Sequence, residues 1–222
     1  MNTMSNWMFQ NTPKRRQEKG SLPMFPSKVD TQYCKRNNGR VYQGDILRDM
    51  LLLEMQYADD IGSKYNVVEK NVPYIVVLTQ DCDLEQDFNN RNQISDKHDK
   101  YMESILVCPA YLAEEFREGK HLEEFGLKME KWNGKRYKQI KAQNNYRYHY
   151  LDGYPPYQIP NLVLDFKHYY TISRDVIYFA KENGHYLASL RQLFREDLSH
   201  RFSFFLSRIG LPIVEDRESD KY

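Results

Sequence analysis

Hydrophobic and polar positions alternate with a period of two along much of the chain. A helical period takes over only in the middle and at the carboxy-terminal end. The strongest strand signal is Pro73 to Thr79. Ile75, Val76, Val77 and Leu78 form a continuous apolar run, three of them β-branched, too short for a good helix and bounded by polar residues. Such a run predicts a strand buried on both faces. Val67 and Val68 lead into it. Other short strands are expected to start at Val41 and to cover 104–109, 161–172, 176–180 and 186–188, while 50–57 reads as a strand or a short helix. Gly44-Asp45 marks a turn or bulge, 59–63 a turn, and Glu182-Asn183-Gly184-His185 a hairpin connection. Pro109 is expected to stop its strand.

Residues 110–119 place Leu112 and Phe116 four apart with Glu114 and Glu115 outward, predicting a short amphipathic helix closed by Gly119. A further helical turn is expected over 122–127. The clearest helix follows Ser189, which forms a capping box with Gln192. Leu190, Leu193, Phe194, Leu198, Phe202, Phe205, Leu206 and Ile209 share one face, opposite Arg191, Arg195, Glu196, Arg201 and Arg208. Gly210 and Pro212 end it. The fold class is therefore mainly β with helices (α+β), with an inserted helical and basic segment over about 110–155 and a packed carboxy-terminal helix. Residues 31–212 read as one domain, 1–30 as a flexible arm carrying Lys14-Arg15-Arg16, and 213–222 as an acidic tail.

The 222 residues, 41% hydrophobic and 28% charged, suit a globular protein rather than a disordered one. The three cysteines, Cys34, Cys82 and Cys108, form no CxxC pair, which argues against a zinc knuckle or a disulfide framework. Reduced cysteines, together with an amino terminus lacking a signal-peptide core and no apolar run of membrane-spanning length, point to a cytoplasmic protein without a membrane partner.

The net charge is only +1, but the charge is unevenly spread. Between Lys131 and Tyr150 stand six bases and no acid. Basic groups neutralise phosphates while aromatic faces stack on bases, so Lys135, Arg136, Tyr137, Lys138, Lys141, Tyr146, Arg147 and Tyr148 are candidate contacts for single-stranded RNA. The same alternation also suits a half-buried strand. Asp81, Asp83, Glu85 and Asp87 stand at every second position after the central strand. Asp81 and Asp83 would disfavour a Cys82 thiolate, the reverse of an activated nucleophile. The series lacks the glycine and the terminal Glu of an EF-hand, so no metal or other cofactor is expected. Asp81, Cys82, Asp83, Glu85 and Asp87 read instead as a partner-docking edge or a turn network.

The order of elements, with Gly44-Asp45-Ile46 near the start, Pro73 to Thr79 at the centre and Val107-Cys108-Pro109 after it, resembles the MazF/PemK-type toxins. The resemblance covers about 41–109 and 162–210. It implies an SH3-like small barrel that acts on RNA in a toxin–antitoxin or phage-defence setting, without a metal. A homodimer is one assembly open to the chain. Where the family carries Arg-Pro, this chain has Val72-Pro73 with Lys70 nearby. Where the family carries a Thr after Val-x-Pro, it has Ala110 and Tyr111. Lys70, Thr79, His168 and Arg174 are then the catalytic candidates of an RNA-cleaving reading. The other reading is a non-catalytic module that docks a protein partner through the acidic edge and the terminal helix.

Overall fold

The computed structural model describes residues 31–57, 65–91, 93 and 97–208. The amino-terminal arm, the 59–63 turn, and Ile209, Gly210, Pro212 and the acidic tail lie outside the described residues. Eight strands form one antiparallel sheet: β1 (Tyr33–Cys34), β2 (Asp45–Tyr57), β3 (Tyr65–Val77), β4 (Ser104–Leu112), β5 (Tyr148–Leu151), β6 (Leu162–Asp165), β7 (Tyr170–Ser173) and β8 (Tyr186–Leu190). The helices are α1 (Asp81–Arg91), α2 (Ala113–Glu118), α3 (Gly134–Lys141), α4 (Arg174–Glu182) and α5 (Gln192–Leu206). The sheet order is β1-β8-β2-β3-β4-β6-β5, with β7 on the first half of β4.

The class is α+β, and the sheet does not close into a barrel. Its edge strands β1 and β5 share no backbone ladder. The Tyr33 hydroxyl spans the gap instead, donating to the carbonyl of Asp152, just past β5, at 2.6 Å.

β3 is the central strand, and its apolar run is buried on both faces as the pattern requires. Val76 and Leu78 pack with Ile46, Leu164, Phe166 and the α5 residues Leu198, Phe202 and Phe205. Ile75 and Val77 pack on the other side with Val107, Ile172, Leu84 of α1 and Ile177 and Ala180 of α4. A third core lies under α2 and α3, where Phe116, Trp132, Tyr137, Ile140 and Tyr148 meet Val163 of β6. Each such aliphatic side chain taken fully from water contributes roughly 1.5–3 kcal/mol before cavity and entropy effects.

Several local expectations are overturned. The segment after Thr79 is helix α1 rather than an alternating polar edge. Asp81 and Asp83 fall in its first turn, where acids suit the helix dipole, and Leu84 and Asp87 point inward. Residues 176–180 belong to helix α4, because Ile177 and Ala180, three apart, are its buried pair. Residues 134–141 are helix α3, capped by the Asn133 side chain, which accepts from Arg136 N at 3.0 Å.

Pro109 does not stop β4, which runs on to Leu112. Leu78 N donates to Leu106 O, so the antiparallel alternation makes Ile75 and Pro109 a non-hydrogen-bonded pair. The proline nitrogen therefore faces the other side of β4. There the pairing passes from β7 (residues 104–107) to β6 (residues 110–112), and the missing N–H has no partner to fail.

The expected long strand over 161–172 is split into β6 and β7 by a turn built on Asp165. Its carboxylate accepts from Lys167 N at 3.0 Å and its carbonyl from His168 N at 2.8 Å.

Ser189 is not a helix cap. It lies in β8 and its hydroxyl donates to the buried carboxylate of Asp45, which also accepts from Lys181 Nζ at 2.7 Å and Tyr42 N at 3.0 Å. Burial pushes the Asp45 pKa up, and Lys181 opposes the shift. Arg201, expected on the polar side of the last helix, is buried and donates to the carbonyls of Gln143, Asn145 and Tyr148. It ties α5 to the segment between α3 and β5. Gly44 is required where it stands. Its φ is +79°, and a Cβ there would sit 2.9 Å from Leu190 Cβ.

Candidate functional site

A cleft of about 800 Å³ opens where the second half of β4, the middle of β3 and the β6–β7 turn meet the loop after α2. Its walls include Leu52, Val72, Leu112, Leu122 and Phe125, and its polar groups include Lys70, Tyr111, His121, His168 and Tyr170. Strand β4 presents Tyr111 to the cleft. The Asp165 turn presents His168. The loop reaches the cleft because α2 ends at Gly119 in the left-handed region (φ +73°), where any Cβ would meet Met129 O at 2.5 Å.

His168 is the best-organised group in the cleft. Its Nδ1 lies 3.1 Å from the Tyr111 hydroxyl and 3.7 Å from Asp165 Oδ2. Asp165 is fully buried and is held by Arg147 through two parallel bonds, Nε to Oδ1 at 2.8 Å and an outer guanidinium nitrogen to Oδ2 at 2.6 Å. In the tautomer with the proton on Nδ1, that nitrogen donates to the Tyr111 hydroxyl and Nε2 is left as an acceptor. Burial lowers the His168 pKa, and Asp165 works against that. The ring is thus neutral at pH 7, and a positive charge formed on it would be stabilised by the carboxylate behind it.

His121 packs its ring against Tyr111 and Phe116 at centroid distances of 4.7 and 4.8 Å. Both its ring nitrogens are buried and have no hydrogen-bond partner among the described residues, and burial holds its pKa down to about 4. Lys70 reaches the cleft from β3, bonded to Glu54 of the neighbouring strand and 5.3 Å from the Phe125 ring. Asp49, Glu115, Glu123 and Glu124 stand around the same cleft, so acids outnumber the two lysines, Lys70 and Lys120.

Of the four catalytic candidates, two share this cleft and two do not. Lys70 and His168 come together. Thr79 stands nine residues beyond Lys70, roughly 30 Å of extended chain. Its buried hydroxyl accepts from Leu106 N at 2.7 Å. Arg174 starts α4, pairs with Asp87 and Asp175, and lies over the Tyr178 ring at 3.9 Å. Both belong to the start of β4, whereas the cleft is formed at its end.

The basic tyrosine stretch is divided by the helical period. On α3, Lys135, Arg136, Lys138 and Lys141 face solvent, and Arg136 pairs with Glu130. Tyr137 turns inward, its hydroxyl donating to Ala113 O at 3.3 Å. Tyr148 is buried against Phe116 and Trp132, so neither ring is open to stack on a base. Tyr146 is exposed and lies beside Phe204 at 4.5 Å. Arg147 is the clamp on Asp165.

The acidic series is largely paired within the chain. Asp81 meets Arg40 at 3.1 Å and Arg195 at 2.9 Å, Glu85 meets Arg40 at 3.4 Å, and buried Asp87 meets Arg91 at 2.7 Å and Arg174. Cys82 and Asp83 are exposed.

Sequence reasoning passed over Tyr111, His121, Asp165 and Tyr170. The one signal available was Asp165 three residues before His168, a spacing that suits a turn. Among the described residues, no three His, Cys, Asp or Glu side chains are grouped to hold a metal ion. No protein-family model matches the chain, and no curated protein matches it.

Proposed function

We propose that this protein cleaves single-stranded RNA by general acid–base chemistry in the cleft, one nucleotide entering at a time. The observation that carries the proposal is the convergence of His168, backed by Asp165 and Tyr111, with Lys70 in a space of ligand size. His168 Nε2 takes the proton of the ribose 2′-hydroxyl as that oxygen attacks the phosphorus. Asp165 stabilises the imidazolium that forms. Lys70 neutralises the phosphorane oxygens and gives a proton to the departing 5′-oxygen as the P–O5′ bond breaks. The products are a 2′,3′-cyclic phosphate and a 5′-hydroxyl.

The acids around the cleft oppose a long polyanion there, which favours entry of a single nucleotide. The solvent-facing lysines of α3, Lys135, Lys138 and Lys141, are the groups suited to the flanking strand. A cytoplasmic setting belongs to the same proposal and rests on the free cysteines Cys34, Cys82 and Cys108. Descent from a MazF/PemK-type barrel belongs to it too and rests on the short motifs at Gly44-Asp45-Ile46 and Pro73 to Thr79. The competing reading, docking of a partner on the acidic edge, is weakened by the arginines that already occupy Asp81, Glu85 and Asp87.

The test is an end-labelled single-stranded RNA incubated with protein in EDTA. Cleavage should give cyclic-phosphate ends, spare a DNA of the same sequence, and fall about 10²–10⁴-fold in His168→Gln. Lys70→Ala should lose a comparable factor. Undiminished cleavage by His168→Gln, or RNA left intact by the folded wild type, overturns the proposal.

A further inference from the structure

The β2–β3 hairpin extends well beyond the rest of the sheet. β2 pairs β8 only over 45–47 and β3 pairs β4 only over 74–77, so the part of the hairpin from Leu51–Tyr57 and Tyr65–Asn71 is a two-stranded ribbon. Cross-strand partners share a face. One face carries Leu52, Glu54, Gln56, Asn66, Val68 and Lys70, with Leu52 buried and Lys70 on the cleft. The other carries Leu51, Leu53, Met55, Tyr57, Tyr65 and Val67, exposed by 44, 65, 74, 84, 58 and 61%.

The ribbon is inverted relative to an ordinary amphipathic hairpin: its polar face is turned to the protein and its apolar face to solvent. A contiguous apolar face of this kind marks an interaction surface.

We infer that this face is a homodimer interface, in which the apolar ribbon of one copy packs on the same ribbon of a second copy around a twofold axis. Two observations select a second copy. The six side chains leave on the order of 800 Å² in water, about what one partner contributes to a stable interface of standard size. Among the described residues the face is also nearly free of charge, with Glu69 its one ionisable carboxylate, so it offers little charge pattern for an acidic or basic partner to complement but is suited to itself. The dimer would stiffen the strand that carries Lys70, because both faces of the ribbon would then be covered. The inference stands independently of RNA cleavage.

Sedimentation of the full chain across nanomolar to micromolar concentration tests it. A mass of twice 26.7 kDa is expected at micromolar concentration. Leu53→Asp and Met55→Lys, made separately, should each raise the concentration of half-association at least about 100-fold with an unchanged far-UV circular dichroism spectrum. Gln56→Lys, on the opposite face of the same ribbon, should leave association unchanged and thereby distinguishes face packing from pairing of strand edges. If one apolar-face variant fails to fold, the other decides, and an oxidised disulfide dimer of Met55→Cys provides a third reading. A wild type that stays monomeric throughout, a dimer that survives both apolar-face variants, or one lost equally in Gln56→Lys overturns the inference.

Discussion

Arg147 offers the sharpest test of how the site is held. Arg147→Met keeps the length of the side chain and removes two charge-assisted hydrogen bonds, of 2.8 and 2.6 Å, from a carboxylate that is fully buried. Asp165 would retain Lys167 N at 3.0 Å and His168 Nδ1 at 3.7 Å, the latter beyond a hydrogen bond. Removing one partner of a buried ion pair costs about 3–5 kcal/mol. Arg147 is 30% exposed, so some water enters in its place and the lower end, ~3 kcal/mol, is expected. For a chain of this size that lowers Tm by roughly 6–12 °C. Urea unfolding followed by tryptophan fluorescence and circular dichroism measures the loss. Adding Asp165→Asn to the variant removes the stranded charge and should recover much of the stability, a coupling of at least ~2 kcal/mol. A loss below about 1 kcal/mol, or two additive substitutions, refutes the assignment of Arg147 as a clamp. A residue that only touched RNA phosphate would instead leave stability unchanged and lower the salt slope of binding by about one.

Two further outcomes follow from the core. His149 is 3% exposed and burial holds its pKa down to about 3, while His121 is held down to about 4. The unfolded chain, with ordinary histidines near 6.5, binds more protons than the folded one. The stability is therefore full above pH 6.5 and falls as pH drops below it, by up to ~1.4 kcal/mol per pH unit per histidine. Urea midpoints between pH 6.5 and 5, above the main carboxylate range, should fall in the wild type and fall less in His149→Leu. A flat wild-type profile contradicts it. Gly44→Ala should cost about 1–3 kcal/mol, because φ is +79° and the new Cβ would press on Leu190; a neutral effect on the unfolding midpoint would show that β8 yields there.

The legible parts of the fold are those set by short-range chemistry. Four consecutive apolar residues flanked by polar ones have few homes other than a strand covered on both faces, and Ile75 to Leu78 occupy one. Phe116 and Gly119 describe a helix and its left-handed stop, and α2 ends at Gly119, although it begins only at Ala113 and Leu112 belongs to β4. Misreadings arose where one pattern serves two geometries. Lys and Tyr interleaved over 135–148 look like an alternating strand, yet Tyr137 and Ile140, three apart, face inward on a helix. Val176 and Ile177 favour a strand by propensity, but Ile177 and Ala180 find a core to fill from α4, and packing outweighs a few tenths of a kcal/mol of propensity. Pro109 reads as a strand stop until the pairing of β4 shows that its nitrogen faces the passage from one partner strand to the next.

The sequence by itself determined the α+β class, the central strand, the helix at the carboxy-terminal end and the supply of chemical groups: the histidines, the lysine, the tyrosines and the acids. Only the tertiary structure decided which of them meet. Lys70 and His168 are 98 positions apart and come together because β4 changes partners from β7 to β6 beside the Asp165 turn, while Thr79 and Arg174 are left at the other end of the same strand. A side chain's neighbours across a sheet depend on register and on where a strand exchanges one partner for another, and neither is written in the local order of residues.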